Sequence, residues 1–193
     1  MRRVLVLTLL AVASTRSTAA RAASCDDWGF LGTGCRRVVS TYQEGRQGIL
    51  LSGYAWHVPA TWTPERRAEL NENAWGGGLV RTTEDDEGDN RSVFILVFKD
   101  SHNRAQWNVG YEHSTYWGSR DGVQAGLGYT AMIVQRPDLA GGVPFPVVLP
   151  LAALRYYDGT LFGTYIPKVN GGVNHGSTLY FFGRYTLDTR YNR

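Results

Sequence analysis

The chain has 193 residues, with 20 Lys and Arg against 17 Asp and Glu, and it carries 23 glycines, 11 tyrosines and 6 tryptophans. Arg2, Arg3, Arg16 and Arg21 fall in the first 22 residues, which hold no acid, so the remainder has 16 basic and 17 acidic residues. A net charge near −1 over that remainder gives no support to nucleic-acid binding, and the glycine-rich, aromatic profile leans towards β-structure.

In chain order, the first element is a leader. Arg2 and Arg3, a mainly apolar run at 4–13 and the closing Ala20-Arg21-Ala22 read as a secretory signal over 1–22, cleaved after residue 22 or 23. The run is too short for a membrane helix, which needs about 20 apolar residues. A weak lipobox ending at Cys25 is the competing reading, with Ala22 where leucine is usual. Residues 23–46 form an N-terminal segment. An even cysteine count in an exported chain favours a Cys25–Cys35 disulfide, and zinc would need more ligands than the segment offers. The irregular stretch that follows is compatible with an amphipathic helix at the periplasmic surface.

From 47 to 187 the pattern is that of strands, whose side chains alternate between two faces. Over 106–117 one lane is Trp107, Val109, Tyr111, His113, Thr115 and Trp117, and the other is Gln106, Asn108, Gly110, Glu112, Ser114 and Tyr116. Lanes of the same kind recur at 123–133, with Leu127 and Tyr129, and at 179–187, with Phe181 and Tyr185. Apolar-out and polar-in is the signature of a transmembrane barrel. The predicted strands are 48–60, 74–84, 91–99, 105–118, 122–136, 146–157, 159–167 and 177–187. Thr63, Pro64 and Glu65 mark a short helical turn between the first two. No apolar run beyond the leader approaches a membrane helix, so membrane residence requires closure. The expected fold is all-β: an eight-stranded antiparallel transmembrane β-barrel at 47–187, preceded by a short amphipathic helix and followed by a tail at 188–193.

Two segments break the alternation. VFILVF at 93–98 is apolar on both faces, as is much of 143–154. A water-filled pore would disfavour both, whereas a lumen partly filled with hydrocarbon would accept them. Pro144, Pro146 and Pro150 each remove a ladder donor, which marks either a strand end or a lateral opening in the wall.

His57 ends the first strand, and Asp100 and Ser101 follow the third. Odd-numbered strands of a meander run the same way, so all three lie at one rim, the extracellular one if the N-terminus is periplasmic. A nucleophile, a base and an acid together suit acyl transfer. Asp-Ser beside a loop is also ordinary turn chemistry. Fully extended, neighbours at 100 and 101 would point apart, so a relay through both needs a bend.

The stretches GYAWH at 53–57, NAWGGGL at 73–79, FKDSHN at 98–103, GLGYTA at 126–131, VVLPLA at 147–152 and TYIP at 164–167 occur in order over nearly the whole exported chain. Together they resemble the lipid A palmitoyltransferase (PagP) family. The resemblance implies a tilted eight-stranded barrel in the outer membrane, working as a monomer among outer-membrane lipids. Its activity would be transfer of an acyl chain from a glycerophospholipid donor to lipid A as acceptor, with no metal or organic cofactor. The family's catalytic His, Asp and Ser fall on His57, Asp100 and Ser101: His57 as general base, Asp100 orienting it or stabilising its charge, and Ser101 as nucleophile or hydrogen-bonding aid. His102 is an alternative base. Pro150 and Pro167 match a lateral gate between the sixth and seventh strands, while Ser52 and Ala74 stand where the other gap would have prolines.

Glu112 departs from the family pattern. It takes the place of a glycine in the floor of the acyl pocket, beside Gly110 on the inward lane. A larger side chain there should shorten the pocket, and its charge is costly in hydrocarbon unless paired or protonated. Arg81 and Arg184 are candidate partners. A position below the pocket, in a polar lower lumen, is the alternative. The implied enzyme transfers palmitate or a shorter chain. A small non-catalytic outer-membrane barrel would instead have a polar lumen, and a soluble lipid-binding barrel would have polar outer lanes.

Overall fold

In the computed structural model, residues 25–169 and 174–187 are described. The expected leader at 1–22 and tail at 188–193 lie outside the described residues. A 3-10 segment, Cys25–Leu31, leads into α1 (Gly32–Glu44), and the Cys25–Cys35 disulfide ties the two together. Trp28, Phe30 and Tyr42 of this segment are exposed, an apolar surface of the kind that lies in a membrane interface. The helix ends at Gly45, whose amide donates to Thr41 O at 3.0 Å. A Cβ at Gly45 would stand 2.3 Å from that oxygen, so only glycine lets the chain turn this tightly into the first strand.

The strands are β1 (Arg46–His57), β2 (Asn73–Glu84), β3 (Asn90–Lys99), β4 (Ala105–Gly118), β5 (Val123–Gln135), β6 (Phe145–Tyr156), β7 (Gly159–Ile166) and β8 (Thr178–Thr186). A short helix, α2 (Pro64–Ala68), lies in the β1–β2 connection, with the Thr63 side chain accepting from the Arg66 amide. Each strand pairs antiparallel with the next, and β8 returns to β1, so the sheet closes into a barrel. The predicted strands differ from these by at most three residues at an end. Among the described residues no helix is long and apolar enough to cross a membrane.

The two lanes divide as alternation demands. Leu51, Leu79, Ile95, Val109, Leu127, Val148 and Leu161 form an exposed outer belt, which suits lipid and not water. Inward lanes carry two kinds of lining. Towards the α1 end, Arg155 is buried, donating to Gln124 Oε1 (2.9 Å) and Asn90 Oδ1 (3.0 Å) and lying 3.9 Å over the Tyr116 ring. Towards the other end the lining is apolar. Phe94, Leu96 and Phe98 are the inward half of VFILVF, and Val147, Leu149 and Leu151 are the inward half of the proline-bearing run.

One irregularity sets the position of a functional side chain. The β1 register slips between Ser52 and Tyr54 against both neighbours. Leu50 and Ser52 face inward before the bulge, and Ala55 and His57 face inward after it. An extra residue inserted into one strand changes the parity of everything beyond it. Without the bulge, His57 would share the outward lane of Ile49 and Leu51.

Candidate active site

The wall is incomplete at one seam. β6 pairs with β5 from Val123↔Tyr156 up to Val134↔Phe145. Its pairing with β7 stops at Leu151↔Thr164, so among the described residues the 145–150 edge has no strand partner on that side. At this point the Thr164 hydroxyl donates to Pro150 O at 2.8 Å. Pro150 and Pro167 therefore border the open seam, one on β6 and one just past the end of β7. The β1–β2 seam differs. Ser52 donates its hydroxyl proton to Ala74 O and accepts from the Tyr180 hydroxyl at 2.6 Å, so a side chain laces the two strands together there.

Behind the open seam lies a cavity of about 380 Å³, within the range of small-molecule sites. Its lining stops at one layer all round the barrel, at Leu50, Val80, Ser92, Glu112, Thr130, Leu151, Phe162 and Arg184. Half of that layer is apolar, and the polar half is built round an ion pair. Glu112 Oε2 lies 3.2 Å from Arg184 Nη1 and accepts from the Ser92 hydroxyl at 2.6 Å, while Oε1 accepts from Ser114. Arg184 also donates to Ser92 (2.8 Å) and Thr160 (3.3 Å). Both side chains are almost fully buried, so each is the condition for the other's charge. Arg81, the other candidate partner, is turned outward: it donates to Tyr42 O and Gln43 O and anchors the end of α1. Gly110 lies one step above Glu112 on the inward lane. A Cβ there would meet Met132 Cβ at 2.5 Å, because Met132 of β5 fills the space that Gly110 leaves.

At the mouth of the cavity, His57 and Ser101 meet. His57 Nε2 lies 3.0 Å from Ser101 Oγ, a hydrogen bond whose direction depends on the imidazole tautomer. His57 is 2% exposed. The edge of Trp62 packs on its ring at 5.1 Å between centroids, and Trp62 is fixed in turn by its Nε1 donating to Ser177 O at 2.9 Å. Ser101 is held from the β1–β2 connection by the Asn71 amide, which donates to Ser101 O at 2.8 Å. His102, the alternative base, is exposed, and among the described residues its ring makes no hydrogen bond to Ser101.

Asp100 is close in sequence but differently employed. Its Oδ1 accepts from the amides of His102 and Arg104, both at 2.8 Å, and so folds the turn that carries Ser101. Its Oδ2 lies 3.6 Å from Arg104 Nε. Among the described residues no hydrogen bond joins Asp100 to His57. The bend that the adjacent pair requires is present, with Asn103 at φ 61°. It brings Ser101, and not the Asp100 carboxylate, to the imidazole. The carboxylate beside His57 belongs to Glu72, whose Oε1 is 3.5 Å from His57 Nδ1. Sequence reading missed both Glu72 and Trp62. The signal available was hairpin geometry, since the chain just before β2 must return alongside the end of β1.

Fold and site together define a class: a membrane-type β-barrel with an apolar cavity in its lumen and a histidine–serine pair at the cavity mouth. Comparison with known proteins narrows it. Residues 37–184 match the family described as PagP, antimicrobial peptide resistance and lipid A acylation protein. A Bordetella parapertussis protein named lipid A acyltransferase PagP is 38% identical over 167 residues, covering 86% of this chain and 90% of its own. A Legionella pneumophila protein of the same name is 36% identical over 190 residues, covering 97% of this chain and 100% of its own. This chain belongs to the PagP family.

The buried pair gives a stability prediction that does not depend on catalysis. Glu112→Ala strands the Arg184 charge and should cost about 3–5 kcal/mol in denaturant unfolding from detergent micelles. Glu112→Met combined with Arg184→Met removes both charges and should recover most of that loss. A single variant as stable as the unaltered protein would show that the pair is not a coupled unit.

Proposed function

We propose that this protein is an outer-membrane acyltransferase that moves a fatty acyl chain from a glycerophospholipid to lipid A, working as a monomer. The observation that carries the proposal is the 3.0 Å contact between His57 and Ser101 at the mouth of an apolar cavity. The relatives' names, lipid A acyltransferase, supply the acceptor. The exposed apolar belt and the closed barrel support residence in the outer membrane. A non-catalytic barrel has no need of the apolar upper lumen, and a soluble carrier does not fit the outer belt.

In this reading the donor's acyl chain passes sideways between β6 and β7, past Pro150 and Pro167, and lies lengthwise among Phe94, Leu96, Leu149 and Phe162. Its ester is then left at the rim beside Ser101 and His57. His57 Nε2 is the general base, and its target is the proton of either Ser101 or the lipid A hydroxyl. With Ser101 as nucleophile, an acyl-serine forms and lipid A resolves it. With lipid A attacking directly, Ser101 positions the ester by hydrogen bonding. Both routes break the donor's ester C–O bond, form a new ester on lipid A and return the proton to the departing lysophospholipid. Asp100 supports either route by fixing the turn that presents Ser101 and by placing a negative charge at the rim.

The Glu112–Arg184 pair serves as the cavity floor, with Gly110 just above it. Ala105 at the rim and Glu112 are seven residues apart on β4. At about 3.3 Å per residue and a tilt of roughly 40°, that is a depth of about 18 Å. A carboxylate with its guanidinium partner leaves less depth than a glycine would, so the chain transferred is shorter than palmitate or less strictly selected.

Mass spectrometry of lipid A from cells expressing the protein tests both parts. An added acyl chain should appear with the unaltered protein and fall at least 100-fold with His57→Ala or Ser101→Ala. Acylation surviving both substitutions would overturn the site. Glu112→Gly should shift the added chain towards greater length, and an unchanged chain length would remove Glu112 from the floor.

A further inference from the structure

We propose that Glu72 is the positioning residue for His57, holding the imidazole in the tautomer and orientation that aim Nε2 at Ser101; this rests on the acyl-transfer reading of the His57–Ser101 pair. For Nε2 to accept a proton, Nδ1 must already carry one, and a buried N–H needs an acceptor. Nδ1 is buried and, among the described residues, has no hydrogen bond. The nearest anionic oxygen is Glu72 Oε1 at 3.5 Å, a separation long for a hydrogen bond but one that a small approach closes. Such contacts are commonly long before substrate binds and shorten in the reactive complex.

The Glu72 carboxylate is held for this task from both sides. Oε1 accepts from the backbone amide of His57 itself at 3.1 Å, and Oε2 accepts from the Tyr54 hydroxyl. The acid is therefore clamped to the residue whose ring it faces. The Glu72 backbone belongs to the same hairpin, its carbonyl accepting from the Ala55 amide at 2.8 Å. Burial alone would push the Glu72 carboxyl up. Hydrogen bonds from Tyr54 and the His57 amide, with the imidazole nearby, outweigh that and hold it below the usual glutamate range.

Asp100 faces elsewhere: its Oδ1 accepts from two amides of its own turn, its Oδ2 lies 3.6 Å from Arg104 Nε, and among the described residues no hydrogen bond or ion pair joins it to His57. The other charged groups facing His57 are Arg67 of α2 and His102 of the β3–β4 turn, and a cation at either position opposes imidazolium formation. Glu72 is thus the one group in this set that stabilises the positive charge His57 gains as it takes a proton.

The test is a titration of the His57 ring nitrogens by NMR in micelles, without substrate, paired with pH–rate profiles. Glu72→Gln keeps the side-chain shape and removes the charge. Its expected result is a fall in the His57 pKa by about one unit, with the acidic limb of kcat moving to lower pH by the same amount. The value of kcat should drop by about 10–100-fold while KM changes less than two-fold. Asp100→Asn should leave the His57 titration in place. A His57 titration unmoved by Glu72→Gln, or one moved only by Asp100→Asn, would overturn the proposal. Tyr54→Phe, which loosens the clamp without touching the charge, should shift the limb less and in the same direction. The titration reads His57 whether or not lipid A is the acceptor, so a failed acylation assay and a failed Glu72 assignment remain distinct results.

Discussion

A strand edge in lipid has no water to satisfy its amides, so a barrel must pair each edge or dispense with the groups it leaves unpaired. Seven of the eight seams here pair over most of their length. The eighth, between β6 and β7, pairs only up to Leu151↔Thr164. The open β6 edge carries Pro146 and Pro150, which have no N–H to leave unsatisfied, and Thr164 donates across to Pro150 O. At those two positions the missing strand partner leaves no N–H unpaired. The β1–β2 seam, with Ser52 and Ala74 where prolines would weaken pairing, is instead laced by the Ser52 hydroxyl. Of these two seams, only β6–β7 leaves part of a strand edge without a strand partner among the described residues.

Closure elsewhere makes the lumen the place where chemistry can be buried, and the Glu112–Arg184 pair divides it. Above the pair, the lining is mainly apolar, with Phe94, Leu96, Phe98, Leu149 and Phe162 facing the cavity. Below the pair, Arg155 donates to Gln124 and Asn90 and lies over the Tyr116 ring, forming a polar layer. A buried ion pair is rarely a net source of stability compared with apolar packing, because both charges lose their hydration. We read its role here as a boundary: in the proposed acyl site it is where the hydrocarbon chain ends. In that proposal the same boundary sets the ester of a bound chain at the height of His57, so the depth of the cavity and the position of the chemistry are one property.

Much of this was legible in the sequence because a period of two is hard to produce by accident. Trp107, Val109, Leu127, Tyr129, Phe181 and Tyr185 were readable as one face, and that face is the outer one. VFILVF was readable as apolar on both sides, and Phe94, Leu96 and Phe98 line the cavity. The position of His57 was legible only as a rim residue. Its inward direction depends on the bulge after Ser52, and a one-residue insertion leaves no mark on composition. Glu72 was hidden for a related reason: it lies in a loop, 15 residues from His57, and only the return of the hairpin brings the two together. The need for a bend at Asp100 and Ser101 was legible, but how it is made was not: the Asp100 Oδ1 accepts from the amides at 102 and 104 and so shapes the turn.

The central claim is that the upper lumen is a dry acyl site ending at an ion pair. A crystal structure of the protein grown from long-chain lipid or detergent tests it most directly. Density is expected for one alkyl chain running from the Ser101 rim down past Phe94 and Leu149 and ending against Ser92, Glu112 and Arg184. A lumen filled with ordered water over those apolar side chains, or a chain continuing past the pair towards Arg155, would contradict it.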